Sequence, residues 1–598
     1  MNSRVIIIRG IIVVIVLILS LRLFSIQILD KSYKQAAQNN IIHKIIEYPY
    51  RGLIYDRNGK LLTHNIPVFD ILVIPKEVEL ADSAEICDLF NINHRQYLEK
   101  LDKAERFSSI LPSIFLGKVP NEEFAAIQDQ LINYSGFTVQ PRTVRGYDHS
   151  SLANVLGYVG EIDRRQLNRD TTGYYKSGDN IGITGIEKEY EKQLRGKRGV
   201  RFETVNVQGI VMGPFRDGEF DSLPVPGLDL QLTIDLELQK YAEKLMEGKI
   251  GSLVALEPST GEVLAFVSAP SYDPNKLSGR DYSINYSEIQ SDTLKPLFNR
   301  PIQAKYPPGS MFKTIQALIA LQENKINPRE KIYSDGTLIG DLAPNGYYDV
   351  KKAITYSSNN YFFKVFRRVI QQGFESSAFI DSRIGYERWR NYVLNFGLGQ
   401  PLGIDLPNES SGLVPGISYY DRYYGVNRWK FSNIYSLSIG QGELLVTPLQ
   451  MANLGCILAN RGHYIQPHIV KKISKEPYED FERKDVGIDD EHFNAVIEGM
   501  EQVVMMGSGR RAYNQDIAIC GKTSTVENPH GEDHSGFMAF APKEDPKIAV
   551  AVYVENAGWG GRAAASTAGL IIEKYINKEI KRTWLEDYVL AGDFADAK

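Results

Sequence analysis

The sequence predicts an α+β protein tethered by a single N-terminal helix. Three observations carry this reading. A long apolar run opens the chain, a strand–helix–hairpin pattern begins near residue 228, and three strand-like runs that would complete the same sheet arrive only after residue 517. A chain of 598 residues exceeds what one core supports, so at least two folded regions are expected. The net charge of −5 gives no reason to expect nucleic acid. Cys87, Cys456 and Cys520 are odd in number and far apart, which makes neither a disulfide framework nor a zinc pattern.

Ile11 to Leu29 is apolar apart from Ser20, Arg22, Ser25 and Gln27, and as a helix it spans about 28 Å, enough to cross a bilayer. Arg4 and Arg9 precede it, which predicts a cytoplasmic N-terminus and an exported remainder. Arg22 lies near the outer end, where it can snorkel or meet a partner. No small-x-small cleavage site follows Leu29, so the segment reads as an uncleaved anchor, residues 1–30. Asp30 to Ile46 reads as a stalk. Asn58-Gly59 between strand-like runs predicts a hairpin, Val68–Ile74 another strand, and Ala81–Ile132 has helical spacing. A helix is expected through Leu194 and a strand over Arg201–Val207. Nothing in 31–226 has catalytic character, and this stretch is expected to be an elongated pedestal.

From Gly227 the pattern changes. Leu228–Ile234 reads as a strand, Asp235–Met246 as a helix, and Ser252–Leu256 with Glu262–Val267 as a hairpin. Helices are expected over Lys313–Glu323, Asn359–Gln371 and Thr447–Ala459. Strands over Ile517–Thr525, Gly536–Ala541 and Ile548–Glu555 complete an antiparallel sheet flanked by helices, residues 227–580. The tail, 581–598, ends in a polar stretch from Tyr588 that is expected to fray.

Chemistry concentrates at Ser310-Met311-Phe312-Lys313. Pro307, Pro308 and Gly309 cannot propagate a helix, so one should begin at Ser310. Positions i and i+3 then share a face, which sets the Lys313 amine beside the Ser310 hydroxyl as a base beside a nucleophile. The tetrad is the one S-x-x-K in the chain. Two partner motifs follow. Ser357-Ser358-Asn359-Asn360 contains two overlapping S-x-N matches, Ser357/Asn359 and Ser358/Asn360, between which the residues alone do not choose; Ser283/Asn285 precedes the nucleophile and is set aside. Such a motif offers a proton-relaying hydroxyl and an orienting amide, or simply a helix cap. Gly521-Lys522-Thr523-Ser524-Thr525 puts a lysine and hydroxyls on a strand edge able to bind a peptide and its terminal carboxylate. Lys176-Ser177-Gly178 matches K-[ST]-G but lies in a turn-like stretch upstream. His530 and His534 have a metal-like spacing, but Pro529 and Gly531 indicate a loop, so no metal or cofactor is expected. Glu387 and Asn391, spaced like a deacylating pair, fall on an amphipathic helix and read as solvated face.

These motifs, in this order, resemble the penicillin-recognising serine enzymes. The wider string narrows the resemblance to the class B penicillin-binding proteins, in their elongation branch, penicillin-binding protein 2. It comprises the anchor, Arg51-Gly52 with Asp56-Arg57-Asn58-Gly59, Gly185-Ile186-Glu187, Leu194-Arg195-Gly196, Gly397-Leu398-Gly399, Gly440-Gln441-Gly442, Thr447-Pro448-Leu449-Gln450 and Glu555-Asn556 with Gly558-Trp559-Gly560-Gly561. In that family Tyr-Phe follows one residue after the second motif, which implies the Ser357/Asn359 register. The third motif is usually Lys-Thr-Gly, and Ser524 stands in the glycine position; β-lactam affinity and substrate fit are the properties this departure touches.

The resemblance implies a serine β-lactamase-like transpeptidase domain behind a dimerisation-type pedestal. It implies that Ser310 attacks a D-alanyl-D-alanine stem peptide with Lys313 as base, and that Ser357 relays the proton while Asn359 orients. Lys522, Thr523, Ser524 and Thr525 line the substrate edge, with the N–H groups of Ser310 and Thr525 as oxyanion hole. β-Lactams would acylate Ser310. Implied partners are a SEDS-family, RodA-type glycosyltransferase and other elongation proteins at the inner membrane, with the bulk of the chain periplasmic. A D,D-carboxypeptidase or β-lactamase, and a non-catalytic activator of a glycan polymerase, are the competing readings.

Overall fold

The computed structural model describes residues 3–25, 42–79, 83–205, 211–478, 481–528, 531–592 and 594. The chain forms two compact units, one of residues 1–52 with 192–228 and one of residues 53–191 with 229–598.

In the first unit Ser3–Phe24 is one helix, and its Ile7–Phe24 portion is long and apolar enough to cross a membrane. Its aliphatic side chains are exposed all round, as a lipid-facing helix requires. The expected continuation over Ile26–Leu29 and most of the expected stalk lie outside the described residues. Ile42–Glu47, Gly199–Val205 and Val211–Pro214 form an antiparallel sheet, with Ile42 opposite Thr204. The predicted strand over Arg201–Val207 is present to Val205; Asn206 and Val207 lie outside the described residues. The Gly52 N–H donates to Leu194 O at 2.9 Å. A Cβ on Gly52 would lie 2.0 Å from Leu228 O, and one on Gly227 would lie 1.9 Å from Leu194 O. The Arg51-Gly52 and Leu194-Arg195-Gly196 motifs therefore mark a backbone crossing that only glycine permits.

In the second unit the predicted hairpin at Asn58-Gly59 joins Ile54–Tyr55 to Leu61–Val73. Asp56 is buried and accepts from the N–H groups of Asn58 and Lys60, both at 2.8 Å. Arg57 bridges Glu257 and Glu262 at 3.2 and 3.0 Å, so this motif grips the hairpin of the later sheet. Ile54–Tyr55 also pairs with Leu230–Leu232, in parallel. The helical reading of Ala81–Ile132 is corrected. Helices Ser83–Leu89, His94–Phe107 and Asn121–Leu131 are interrupted by a strand, Ser113–Pro120, that pairs with Leu61–Val73. Phe115 and Val119 of that strand are buried in the core of this lobe; the alternation was hidden by its charged, helix-compatible neighbours. The single helix expected through Leu194 is two short ones, Gly185–Glu189 and Glu191–Leu194.

The late sheet has five antiparallel strands: β1 (Gly251–Leu256), β2 (Val263–Ala269), β3 (Cys520–Val526), β4 (His534–Ala541) and β5 (Ile548–Val554), in the spatial order β2-β1-β5-β4-β3. Strand β3 is therefore an edge, with Lys522 opposite Met538 on β4. Helices α1 (Leu236–Met246), α2 (Lys313–Gln322), α3 (Asn359–Ile370) and α4 (Pro448–Ala459) follow the expected segments, and α5 (Ala563–Asn577) is a further helix that the sequence reading did not single out. Helix α2 is buried from Lys313 to Leu321, so its first residue has no solvent to retreat to. The expected fraying from Tyr588 is also corrected over the described residues; residues 593 and 595–598 lie outside them. The helix Thr583–Ala591 runs through it, with Val589 and Phe594 buried in the same core as β4 and β5.

Candidate active site

Ser310 lies in a 3₁₀ turn, Gly309–Phe312, that leads directly into α2. The helix-like geometry predicted from Ser310 is present, tightened over its first turn. Lys313, the first residue of α2, is fully buried. Its Nζ donates to Ser357 O and Asn359 Oδ1, both at 2.6 Å, and lies 3.2 Å from Ser357 Oγ. Asn359 Nδ2 donates to Gly340 O at 2.6 Å, which fixes the amide so that its oxygen faces the lysine. Lys522, also fully buried, donates to Ser357 Oγ at 2.9 Å. One hydroxyl thus sits between two buried amines.

Burial sets the electrostatics. It pushes the Lys313 amine down to about 7, against the opposing pull of Asp341. It pushes Lys522 well below its ordinary value as well, and Lys313 adds to that. Two amines that meet at one oxygen in a desolvated site each disfavour the other's charged form.

The overlapping S-x-N matches separate cleanly. Ser357 occupies the left-handed backbone region, φ 57°, an uncommon conformation for a residue other than glycine. It presents its hydroxyl to the two lysines. Ser358 instead caps α3, accepting from the Tyr361 N–H at 3.2 Å, and is bound to Asp341 at 2.7 Å. Asn360 is buried in the wall behind the site.

On β3, side chains alternate. Lys522 and Ser524 share one face, and both are fully buried. Ser524 Oγ donates to Pro308 O at 2.8 Å. On the other face Thr523 meets Ser508, and Thr525 Oγ1 accepts from the Gly560 N–H at 3.1 Å. The structure therefore brings Ser310, Lys313, Ser357, Asn359 and Lys522 to one place, and sets Thr523 and Thr525 on the opposite side of the edge strand from Ser524. The Gly440 carbonyl accepts from the Gly309 N–H at 2.9 Å, and Tyr306 donates to Glu555 at 2.7 Å, so two more of the quoted motifs brace the turn that carries Ser310.

The upstream match Lys176-Ser177-Gly178 is a turn: Asp179 accepts from the Lys176 N–H, and Gly178 has φ 90°. Glu387 and Asn391 are exposed on the helix Ala378–Asn395. His534 starts β4 and accepts from the Asn556 N–H at 3.1 Å; His530 lies outside the described residues.

Asp341 is the participant that sequence reasoning missed. It accepts from Ser358 Oγ and from the Asn360 N–H at 2.9 Å, at the start of α3, and it is the carboxylate that acts on Lys313. A carboxylate at a helix N-terminus is favourable, but 17 residues separate it from Ser358, and no spacing rule joins them. Asp341→Asn should destabilise the fold by about 2 kcal/mol, through weaker hydrogen bonds to Ser358 and Asn360. It should also move the acid limb of the acylation rate to lower pH, because a carboxylate that raises Lys313 is gone. Thermal unfolding and a pH–rate profile check the two effects separately.

A family model, the penicillin-binding protein transpeptidase domain, matches residues 251–573, and a second, the penicillin-binding protein dimerisation domain, matches residues 46–232. The chain belongs to the class B penicillin-binding proteins, in the penicillin-binding protein 2 group. Among its relatives in that family is the peptidoglycan D,D-transpeptidase MrdA of Haemophilus influenzae, 31% identical, with 94% of this chain and 90% of that protein covered. The MrdA of Salmonella typhimurium is 31% identical, with 97% of each covered. Among solved structures, the complex of penicillin-binding protein 2 with MreC from Helicobacter pylori matches with a TM-score of 0.76 at 28% identity, over 90% of this chain and 99% of that one. The Pseudomonas aeruginosa penicillin-binding protein 2 in complex with WCK 5153 matches with a TM-score of 0.65 at 27% identity, over 91% and 99%. As a family member carrying one N-terminal apolar helix, the chain is a membrane-anchored protein with a large soluble part.

Proposed function

We propose that this class B penicillin-binding protein is a serine D,D-transpeptidase that cross-links peptidoglycan stem peptides through a Ser310 acyl-enzyme. The observation that carries the mechanism is the wiring of Lys313. A neutral amine has two N–H donors and one lone pair. Ser357 O and Asn359 Oδ1 take the two donors at 2.6 Å each. The lone pair is then left to accept from a hydroxyl; Ser357 Oγ lies 3.2 Å away, and we assign the pair to Ser310, one turn earlier.

Ser310 Oγ forms a bond to the penultimate D-alanine carbonyl as its proton passes to Lys313. The C–N bond to the terminal D-alanine then breaks, and Ser357 carries a proton to the departing amine. Lys522, Thr523 and Thr525 receive the terminal carboxylate. That anion favours the charged form of Lys522, and the cation in turn favours the neutral form of Lys313, ready for the next proton. The backbone N–H groups of Ser310 and Thr525 serve as oxyanion hole. An amine of a second stem attacks the ester carbonyl, releases Ser310 and leaves an amide cross-link.

Residues 1–30 anchor the chain with its N-terminus in the cytoplasm, 31–226 form the pedestal, 227–580 the periplasmic transpeptidase domain and 581–598 the tail. The MreC complex of the Helicobacter pylori relative and the peptidoglycan synthase complex among the structural matches support elongation partners; a RodA-type glycosyltransferase is the partner we assign. The purified full-length chain in detergent, given a D-alanyl-D-alanine donor peptide and an acceptor amine, should yield amide product rising with acceptor concentration. Hydrolysed donor alone, at every acceptor concentration, would instead make it a carboxypeptidase.

A further inference from the structure

We propose that Ser524 is a positioning residue for the nucleophile: its hydroxyl holds the Pro308 carbonyl and so fixes the turn that delivers Ser310. The proposal rests on the acyl-enzyme reading above. Ser524 stands where the family usually has glycine, in the motif expected to lie against substrate. Its side chain does not point there. It is fully buried, on the same face of β3 as Lys522, and its Oγ donates to Pro308 O at 2.8 Å across 216 residues of sequence.

The fit is tight on the turn's side too. A Cβ on Gly309 would lie 2.2 Å from Ser524 Oγ, and Gly309 has φ +53°, which glycine accepts without strain. The serine at 524 therefore requires the glycine at 309. From the other flank, the Gly309 N–H donates to Gly440 O at 2.9 Å. The turn is pinned on both sides immediately before Ser310. The strand bearing Lys522 and Thr525 is thereby tied to the turn bearing Ser310 by a hydrogen bond with no solvent to compete for it. Displacements of about 1 Å at a nucleophile cost up to roughly a hundredfold in rate while leaving ground-state binding in place. Ser524 should therefore act on acylation and not on ligand affinity.

The test is stopped-flow acylation of the full-length chain in detergent by a chromogenic cephalosporin, resolving the binding constant from the acylation rate constant, for wild type, Ser524→Ala and Ser524→Gly. Both variants should lose about tenfold in the acylation rate constant with the binding constant within about twofold. A rate kept by alanine and lost by glycine would make Ser524 a space filler and overturn the proposal. So would tighter binding by the glycine variant, which would mean that Ser524 obstructs the ligand. Wild type that forms no acyl adduct would overturn the acyl-enzyme reading, and this proposal with it.

Discussion

Ser310→Ala should abolish release of D-alanine from a D-alanyl-D-alanine donor, a loss on the order of 10⁴-fold or more. The expectation follows from the position of the residue. The hydroxyl sits half-buried on a 3₁₀ turn, one turn before an amine fixed by two acceptors. No other serine stands three residues before a lysine. Ser357 Oγ lies 3.2 Å from Lys313 and accepts from Lys522 at 2.9 Å, a place between two amines that suits a relay and not a nucleophile. The fold should be indifferent to the substitution, because the turn is held by Ser524, Gly440 and the burial of Met311 and Phe312. An unchanged melting temperature with lost activity is the expected pair of results, and D-alanine release measured alongside thermal unfolding reads both.

Lys313→Ala should lower the acylation rate roughly 10³-fold, the usual worth of a positioned general base. The same residue sets the pH dependence. Its neutral form accepts the proton, and burial brings its pKa down to about 7. Above that value most of the protein carries the base in working form. Below it, the charged form accumulates, and the rate should fall about tenfold per pH unit. Acylation rate constants measured between about pH 5 and 9 for wild type and Lys313→Ala check this; the alanine variant should lose the limb near 7 as well as the rate. A wild-type limb near 10 would mean that Lys313 stays charged in the working pH range and is not the base.

Much of the site was legible because its chemistry is local. Ser310 and Lys313 share a turn, and Lys522 shares a strand edge with Thr523 and Thr525, so spacing and the order of the motifs singled them out as candidates. The five-stranded sheet was equally visible, because β1 and β2 flank a Pro-Ser-Thr-Gly turn and β3, β4 and β5 are nearly continuous apolar or alternating runs. What escaped is long-range. Asp341 reaches the start of α3 from a separate loop, and its sequence neighbours are turn residues that announce nothing. The choice between Ser357 and Ser358 depends on which hydroxyl faces the lysines, a long-range contact made by Ser357 that the sequence does not display. Ser524 was readable as a departure, but not as a contact to Pro308, since strand alternation decides that it faces the nucleophile turn. The strand Ser113–Pro120 was lost among helices because its buried apolar residues, Phe115 and Val119, are too few to impose a period on that stretch.

The central claim is that Ser310 is the covalent nucleophile, and intact-mass analysis of the full-length chain after exposure to benzylpenicillin tests it most directly, with peptide mapping and with Ser310→Ala alongside. The account predicts one adduct per chain, carried on the peptide containing Ser310, and none in the alanine variant. An adduct that persists in Ser310→Ala, or that maps to another residue, would contradict it.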